Sequence, residues 1–181
     1  MTILAVVMIV SAAAIASFYW ALRGRNFDVS TVEQLKTLAL PIDLAAFEVL
    51  TDPAEDAFLR ERVSPKAYRR LKRLRVQAEI AYLMAIASNA AVILRWAEAA
   101  PVSAGKDGED RRILVREALS LRLLCLVALA KLRAELWFPG STRKLGIVIA
   151  DYRNLVAGVS KIIREYAPTE DARIRSLLAG A

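Results

Sequence analysis

Histidine does not occur in this chain, and cysteine occurs once, at Cys125. The first absence removes the commonest general base and the commonest transition-metal ligand. The second excludes an internal disulfide framework and any cysteine-built metal centre. Glycine and proline are sparse, seven and six in 181 residues, and no fixed-period repeat or low-complexity tract is present. No run of β-branched residues alternates with period two, which leaves an all-α fold as the reading the pattern favours. Nucleophile elbows, glycine-rich phosphate loops and Walker-type lysines are likewise missing. Charge is absent from the whole stretch before Arg23.

That uncharged stretch is the first positive feature. Hydrophobic residues make up 56% of the chain, more than an ordinary soluble domain carries, so part of it is expected to meet lipid. Residues 2–22, TILAVVMIVSAAAIASFYWAL, are long enough to cross a hydrocarbon core of about 30 Å. Ile3, Leu4, Val7, Ile9, Val10 and Ile15 supply its apolar body. Phe18, Tyr19 and Trp20 stand where an interfacial aromatic belt belongs, and Arg23 and Arg25 follow at once. Ala14-Ile15-Ala16 loosely resembles a signal-peptide cleavage site, but a signal peptide opens on a basic segment that is not found here. The expectation is an uncleaved signal-anchor over 1–25 in the inner (plasma) membrane. By the positive-inside rule its N-terminus is outside and residues 26–181 form a cytoplasmic domain.

In that domain the organising stretch is 64–100. Ser64 is a helix cap and Pro65 suits the first helical position, and neither Gly nor Pro recurs before Pro101. Leu71, Leu74, Ala78, Ala81 or Tyr82, Ala85, Asn89, Val92 and Trp96 recur at spacings of three and four, predicting one buried stripe. The first half is edged with Lys and Arg, whereas 80–94 carries no charge. Such a run is short for a span and reads as a core helix. Buried there, Tyr82, Ser88 and Asn89 would need partners.

Ahead of it, three short helices are expected. The first has a capping box of Ser30 and Glu33, the second an Asp43 cap, and the third Asp52 with Pro53. After it, 101–110 reads as an exposed loop. A second long helix follows to Phe138, with Ile113, Leu114, Ala118, Leu121, Leu124, Cys125, Ala128, Leu132 and Leu136 on one face. A turn at Pro139-Gly140 leads to a third long helix over 143–167. Pro168 ends that one, and Thr169 caps a last short helix. The expected architecture is an N-terminal transmembrane helix followed by a bundle of three long helices, running antiparallel, with short accessory helices. Small residues such as Ala118, Gly146, Ala157 and Gly158 would bring the backbones close.

The strongest charge feature is Arg60, Arg62, Lys66, Arg69, Arg70, Lys72, Arg73 and Arg75, part of a net charge of +7. Such a run is either a solvated helix face or a contact for anionic lipid or an acidic partner, and Lys66, Arg69, Arg70, Lys72 and Arg73 are the contact candidates. Nucleic acid is not expected, because few aromatics are interleaved to stack on bases. Glu79, Glu117, Glu135 and Asp151 are carboxylates on or near apolar faces. Without His they lack the Glu-x-x-His pairs of a di-metal bundle, and Arg75, Arg122 and Arg133 are expected to neutralise them. Cys125 reads as a small buried hydrophobe.

These readings point to a basic, non-enzymatic scaffold, adaptor or accessory subunit of a membrane-associated assembly, with no catalytic residue, metal or cofactor. Its partners would be the bilayer and either another protein or a second copy of itself. The alternative is a helical module binding a hydrophobic small molecule or lipid at the membrane surface. An enzyme would require Asp151, Tyr152 or Glu135 to converge in a polar cleft.

Overall fold

The computed structural model describes residues 29–99, 106–137, 145–166 and 168–179. The expected anchor, from Ile3 to Arg25, and the Pro139-Gly140 turn lie outside the described residues. Among the described residues helix is the only regular structure, in seven segments: α1 (Val32–Leu38), α2 (Leu44–Thr51), α3 (Pro53–Arg62), α4 (Pro65–Ala99), α5 (Lys106–Trp137), α6 (Gly146–Tyr166) and α7 (Pro168–Ala179).

Local capping chemistry sets most of the helix starts. Asp43 accepts from the Ala46 N–H at 2.9 Å to open α2, and Asp52 accepts from Ala54 to open α3 with Pro53 at its first position. Ser64 accepts from Ala67 ahead of α4. The cap of α1 sits one residue later than the sequence suggests. Thr31 and Gln34 form the capping box, and the Gln34 carboxamide also accepts from the Ser30 N–H at 2.8 Å. Val29 and Leu35 are both in the core, which sets that register, and Glu33 pairs with Lys36 instead.

Two other boundaries move. Residues 106–110, read as loop, are the first turn of α5. Gly108 in a helix costs about 1 kcal/mol relative to Ala. The turn is held by Asp110, whose carboxylate pairs with Lys161 of α6 at 2.7 Å. α6 stops at Tyr166, ahead of Pro168 as expected. Pro168, however, is itself the first residue of α7, where its missing N–H costs nothing, so Thr169 lies inside that helix and is not its cap.

The buried stripe of α4 also differs from the expected one. Its buried residues are Val76, Glu79, Leu83, Ile86, Asn89, Ala90, Val92, Ile93, Leu94, Trp96 and Ala97, so Asn89, Val92 and Trp96 are buried as expected while Leu71 and Leu74 are exposed. On α5, Leu114, Ala118, Leu121, Cys125, Ala128 and Leu132 are buried as their spacing implies, but Ile113 is exposed. α4 packs on α5, α5 on α6, and α6 on α7, with α1, α2 and α3 laid against α4.

Helices α5 and α6 run antiparallel. Asp110 meets Lys161, Leu114 and Glu117 lie beside Gly158, and Cys125 senses the charge of Asp151. A Cβ added to Gly158 would come 3.2 Å from Leu114 Cδ1, so this glycine does permit a close approach. Gly146 has nothing within 4 Å and does not. By length and composition α4 is apolar enough to cross a membrane, and half of its apolar stretch is buried inside the fold.

Candidate functional site

Among the first eleven residues of α4 no side chain is fully buried, and Val76 is the first that is. At 1.5 Å per residue they form an arm about 15 Å long. Lys66, Arg69, Arg70 and Arg73 are exposed on it at spacings i, i+3, i+4 and i+7, which places them along one stripe. Lys72 is half-buried, its Nζ 6.0 Å from the centroid of the Tyr68 ring. All five sequence-derived contact residues therefore lie on the first part of one helix.

Helix α3, which buries no residue, accompanies this arm. Tyr68 donates to Asp56 Oδ2 at 3.0 Å and joins the two, and the Arg62 guanidinium lies 5.2 Å over the Phe58 ring. Phe58, Leu71 and Leu74 are exposed by 54%, 37% and 53%. Cationic and apolar side chains are thus exposed on the same two helices.

Arg75, at the base of the arm, has a different role from the carboxylate partner expected of it. Its Nη2 donates to the Leu50 carbonyl at 2.7 Å and reaches that of Asp52 at 3.5 Å. A cation there satisfies the last carbonyls of α2 and complements the negative end of its dipole. Glu79 is completely buried on the inner face of α4. Glu117 and Asp151 line a cleft of 250 Å³ between α5 and α6 with Arg116, Ser120 and Asn154. The side chain of Glu135 lies outside those described. Among the described residues no three His, Cys, Asp or Glu side chains are grouped as metal ligands would be.

Tyr152 is completely buried and belongs to a polar node at the centre of the molecule. Asn89 Oδ1 accepts from the Leu40 N–H at 2.8 Å, and its Nδ2 donates to the Leu40 carbonyl at 2.8 Å and to the Tyr152 hydroxyl at 2.9 Å. That hydroxyl donates to the Leu178 carbonyl at 3.0 Å. Every polar atom of Asn89 and Tyr152 is therefore satisfied, as buried polar groups must be. Four separate segments meet there: the α1–α2 connection, α4, α6 and α7. Burial pushes the Tyr152 hydroxyl well above the usual phenol range, assisted by Cys125 and opposed by the Asn89 hydrogen bond. Burial likewise pushes the Cys125 thiol up to about 12, helped by the charge of Asp151, so the thiol is protonated and inert. Burial lowers the Arg122 pKa, with Arg95 adding to the shift and Glu98 opposing it.

No family model, curated protein or solved structure matches the chain. Function is accordingly read from surfaces and cavities. Sequence periodicity could place Asn89 inside the fold but could not name Leu40 and Tyr152 as its partners. Those contacts join residues 49 and 63 positions apart.

Proposed function

We propose that the protein is a non-enzymatic scaffold or accessory subunit of a membrane-associated assembly. It is tethered by residues 1–25 as a single N-terminal span with the N-terminus outside. Residues 26–181 lie in the cytoplasm, where α4, α5 and α6 form a bundle with the short helices packed on it. Burial of half the apolar stretch of α4 supports its reading as a core helix, and the length and lack of charge of residues 2–22 support their reading as the span.

The observation that carries this reading is the arm. Lys66, Arg69, Arg70 and Arg73, with exposed Phe58, Leu71 and Leu74 on the same two helices, suit a surface that is both anionic and apolar at its edge. The headgroup region of the cytoplasmic leaflet is such a surface. Each Lys or Arg near it contributes about 1 kcal/mol, and inserted apolar side chains add their burial. A second exposed apolar stripe, Leu119, Leu123 and Val127 at i, i+4 and i+8 on α5, supplies a face for a protein partner or a second copy.

The test is alkaline extraction of membranes from cells expressing the full chain with a C-terminal tag, followed by protease shaving. The chain is expected to stay with the membrane, with its tag cleaved only when the cytoplasmic face is opened. Release into the alkaline supernatant would overturn the anchor, and cleavage from outside would overturn the orientation.

A further inference from the structure

A pocket of 380 Å³ opens between α2, α6 and α7, on residues of which the sequence singled out only Ala157, and that for close helix packing. Its floor is apolar, made by Leu44, Val156 and Ala157, and its rim carries Arg153, Lys161, Arg164 and Arg175. Six of the lining residues belong to α6, at i, i+3, i+4, i+7, i+8 and i+11 from Arg153, so one helical stripe builds most of the site. The opposite stripe of α6, including Tyr152, Leu155, Val159 and Ile163, is buried in the core and holds the pocket wall in place.

The residue at i+7 is Ser160. It is only 6% exposed, and its hydroxyl makes no hydrogen bond to the protein. A serine inside a helix ordinarily bonds back to the carbonyl four residues earlier. Here the buried hydroxyl is left to be satisfied from the pocket it lines. Two rim cations are held at the edges by ion pairs at 2.7 Å, Arg153 to Glu48 and Lys161 to Asp110. The two cations in these pairs are half-exposed, so water screens the pairs and a bound anion can exchange with them.

We propose that this pocket binds a phosphate-headed amphiphile, with the phosphate among the rim cations and Ser160 and the apolar part on Leu44, Val156 and Ala157. A phosphate monoester presents several acceptor oxygens, which arginine forks and a lysine satisfy together, whereas a carboxylate uses fewer of them. The volume lies in the range of small-ligand sites, about 300–1,000 Å³. A soluble alkyl phosphate and a membrane lipid with a phosphomonoester head share this chemistry. The proposal stands on α2, α6 and α7 and uses neither the anchor nor the arm.

The test uses the full chain in phosphatidylcholine nanodiscs, titrated calorimetrically and melted by circular dichroism. The soluble probes are hexyl phosphate, hexanol and inorganic phosphate. The lipid arm compares nanodiscs with and without phosphatidic acid. Hexyl phosphate is expected to bind at least about tenfold tighter than either fragment and to raise the melting midpoint. A rise seen only with phosphatidic acid identifies the source as lipid and equally supports the pocket. Ala157→Phe fills the floor from an exposed position while leaving every charge in place, and it is expected to abolish the effect. The pair Arg153→Gln and Lys161→Gln is expected to weaken it by at least about tenfold. The pair Arg69→Gln and Arg73→Gln, which removes the same charge from the arm, should leave it unchanged. Failure of both ligands to stabilise, an undiminished effect in Ala157→Phe, or an equal loss in the arm variant would each overturn the proposal.

Discussion

Asn89 donates to the Tyr152 hydroxyl at 2.9 Å, and both side chains are completely buried. Asn89 also mimics a backbone pair to Leu40, accepting from its N–H and donating to its carbonyl. Asn89→Ala removes all three bonds and leaves the Leu40 amide and the Tyr152 hydroxyl short of partners. At about 1–3 kcal/mol for each orphaned group, the loss is expected to be about 3–5 kcal/mol. Tyr152→Phe should lose about 1–2 kcal/mol, by orphaning the Leu178 carbonyl and one Asn89 N–H. Denaturant midpoints of the two single variants and the double variant check this. Strictly additive losses would mean that the two side chains do not act as a unit.

Arg75→Gln tests the cap on α2. The guanidinium bond to the Leu50 carbonyl is charge-assisted, so its removal is expected to cost about 1–3 kcal/mol. Amide exchange should quicken in α2 before it does in α5. Unchanged exchange across 44–51 would rule the cap out as what holds that helix end.

Alkaline pH should weaken the fold through Cys125. Its folded pKa of about 12 lies above the 9.0 of a free thiol, so between those values the native state holds a proton that the unfolded state has lost. The thiol's contribution is complete below pH 9.0 and falls as pH rises toward about 12. The slope in that window is at most about 1.4 kcal/mol per pH unit. Tyr152, raised in the same direction, adds to the loss. Urea midpoints measured across this range should decline, less steeply in Cys125→Ala. A flat profile for the parent chain would contradict the assignment.

The close approach of α5 and α6 at Gly158 sets a limit on side-chain size. Gly158→Ala needs a shift of only a few tenths of an ångström in the flexible end of Leu114, and gains helix propensity. A bulkier Gly158→Ile overpacks the seam and is expected to cost about 1–3 kcal/mol. A thermal midpoint for Gly158→Ile clearly below that of Gly158→Ala would bear this out, whereas equal midpoints for Ala and Ile would show that the seam has room.

The arm offers a test that leaves the core untouched. A fluorophore at Ala67→Cys, with Cys125 unreactive in the folded chain, is expected to report a drier environment when the nanodisc contains anionic lipid. Glutamine at Lys66, Arg69, Arg70 and Arg73 should remove that response, and so should added salt, which screens exposed charge. A response indifferent to lipid charge would exclude the headgroup surface as the arm's partner.

Features governed by local chemistry were legible in the sequence, and those that depend on distant partners were not. Asp43, Asp52 with Pro53, and Ser64 with Pro65 mark helix starts because a cap answers to amides two or three residues away. Leu71 and Leu74 fit the periodicity as well as Leu83 and Ile86 do. Which of them is covered depends on how far the neighbouring helices reach along α4, and that is not encoded in spacing. The contact candidates from Lys66 to Arg73 were visible as a charge run, but that α4 has no fully buried side chain before Val76 was not. Arg75 looked like a partner for a carboxylate and turned out to cap a helix, because Leu50 lies 25 positions upstream. The Ser160 pocket gave no signal, since its lining comes from three helices and each of its residues is ordinary in its own helix.

The tie between Tyr152 and Leu178 also bears on the timing of synthesis. Leu40 and Asn89 emerge early, Tyr152 later, and the carbonyl that completes their circuit arrives only with α7. A nascent chain that has released α6 has its central tyrosine in place but no acceptor for its proton. The centre of the molecule therefore closes only once α7 has emerged, and until then the nascent chain carries an unsatisfied polar group at its core.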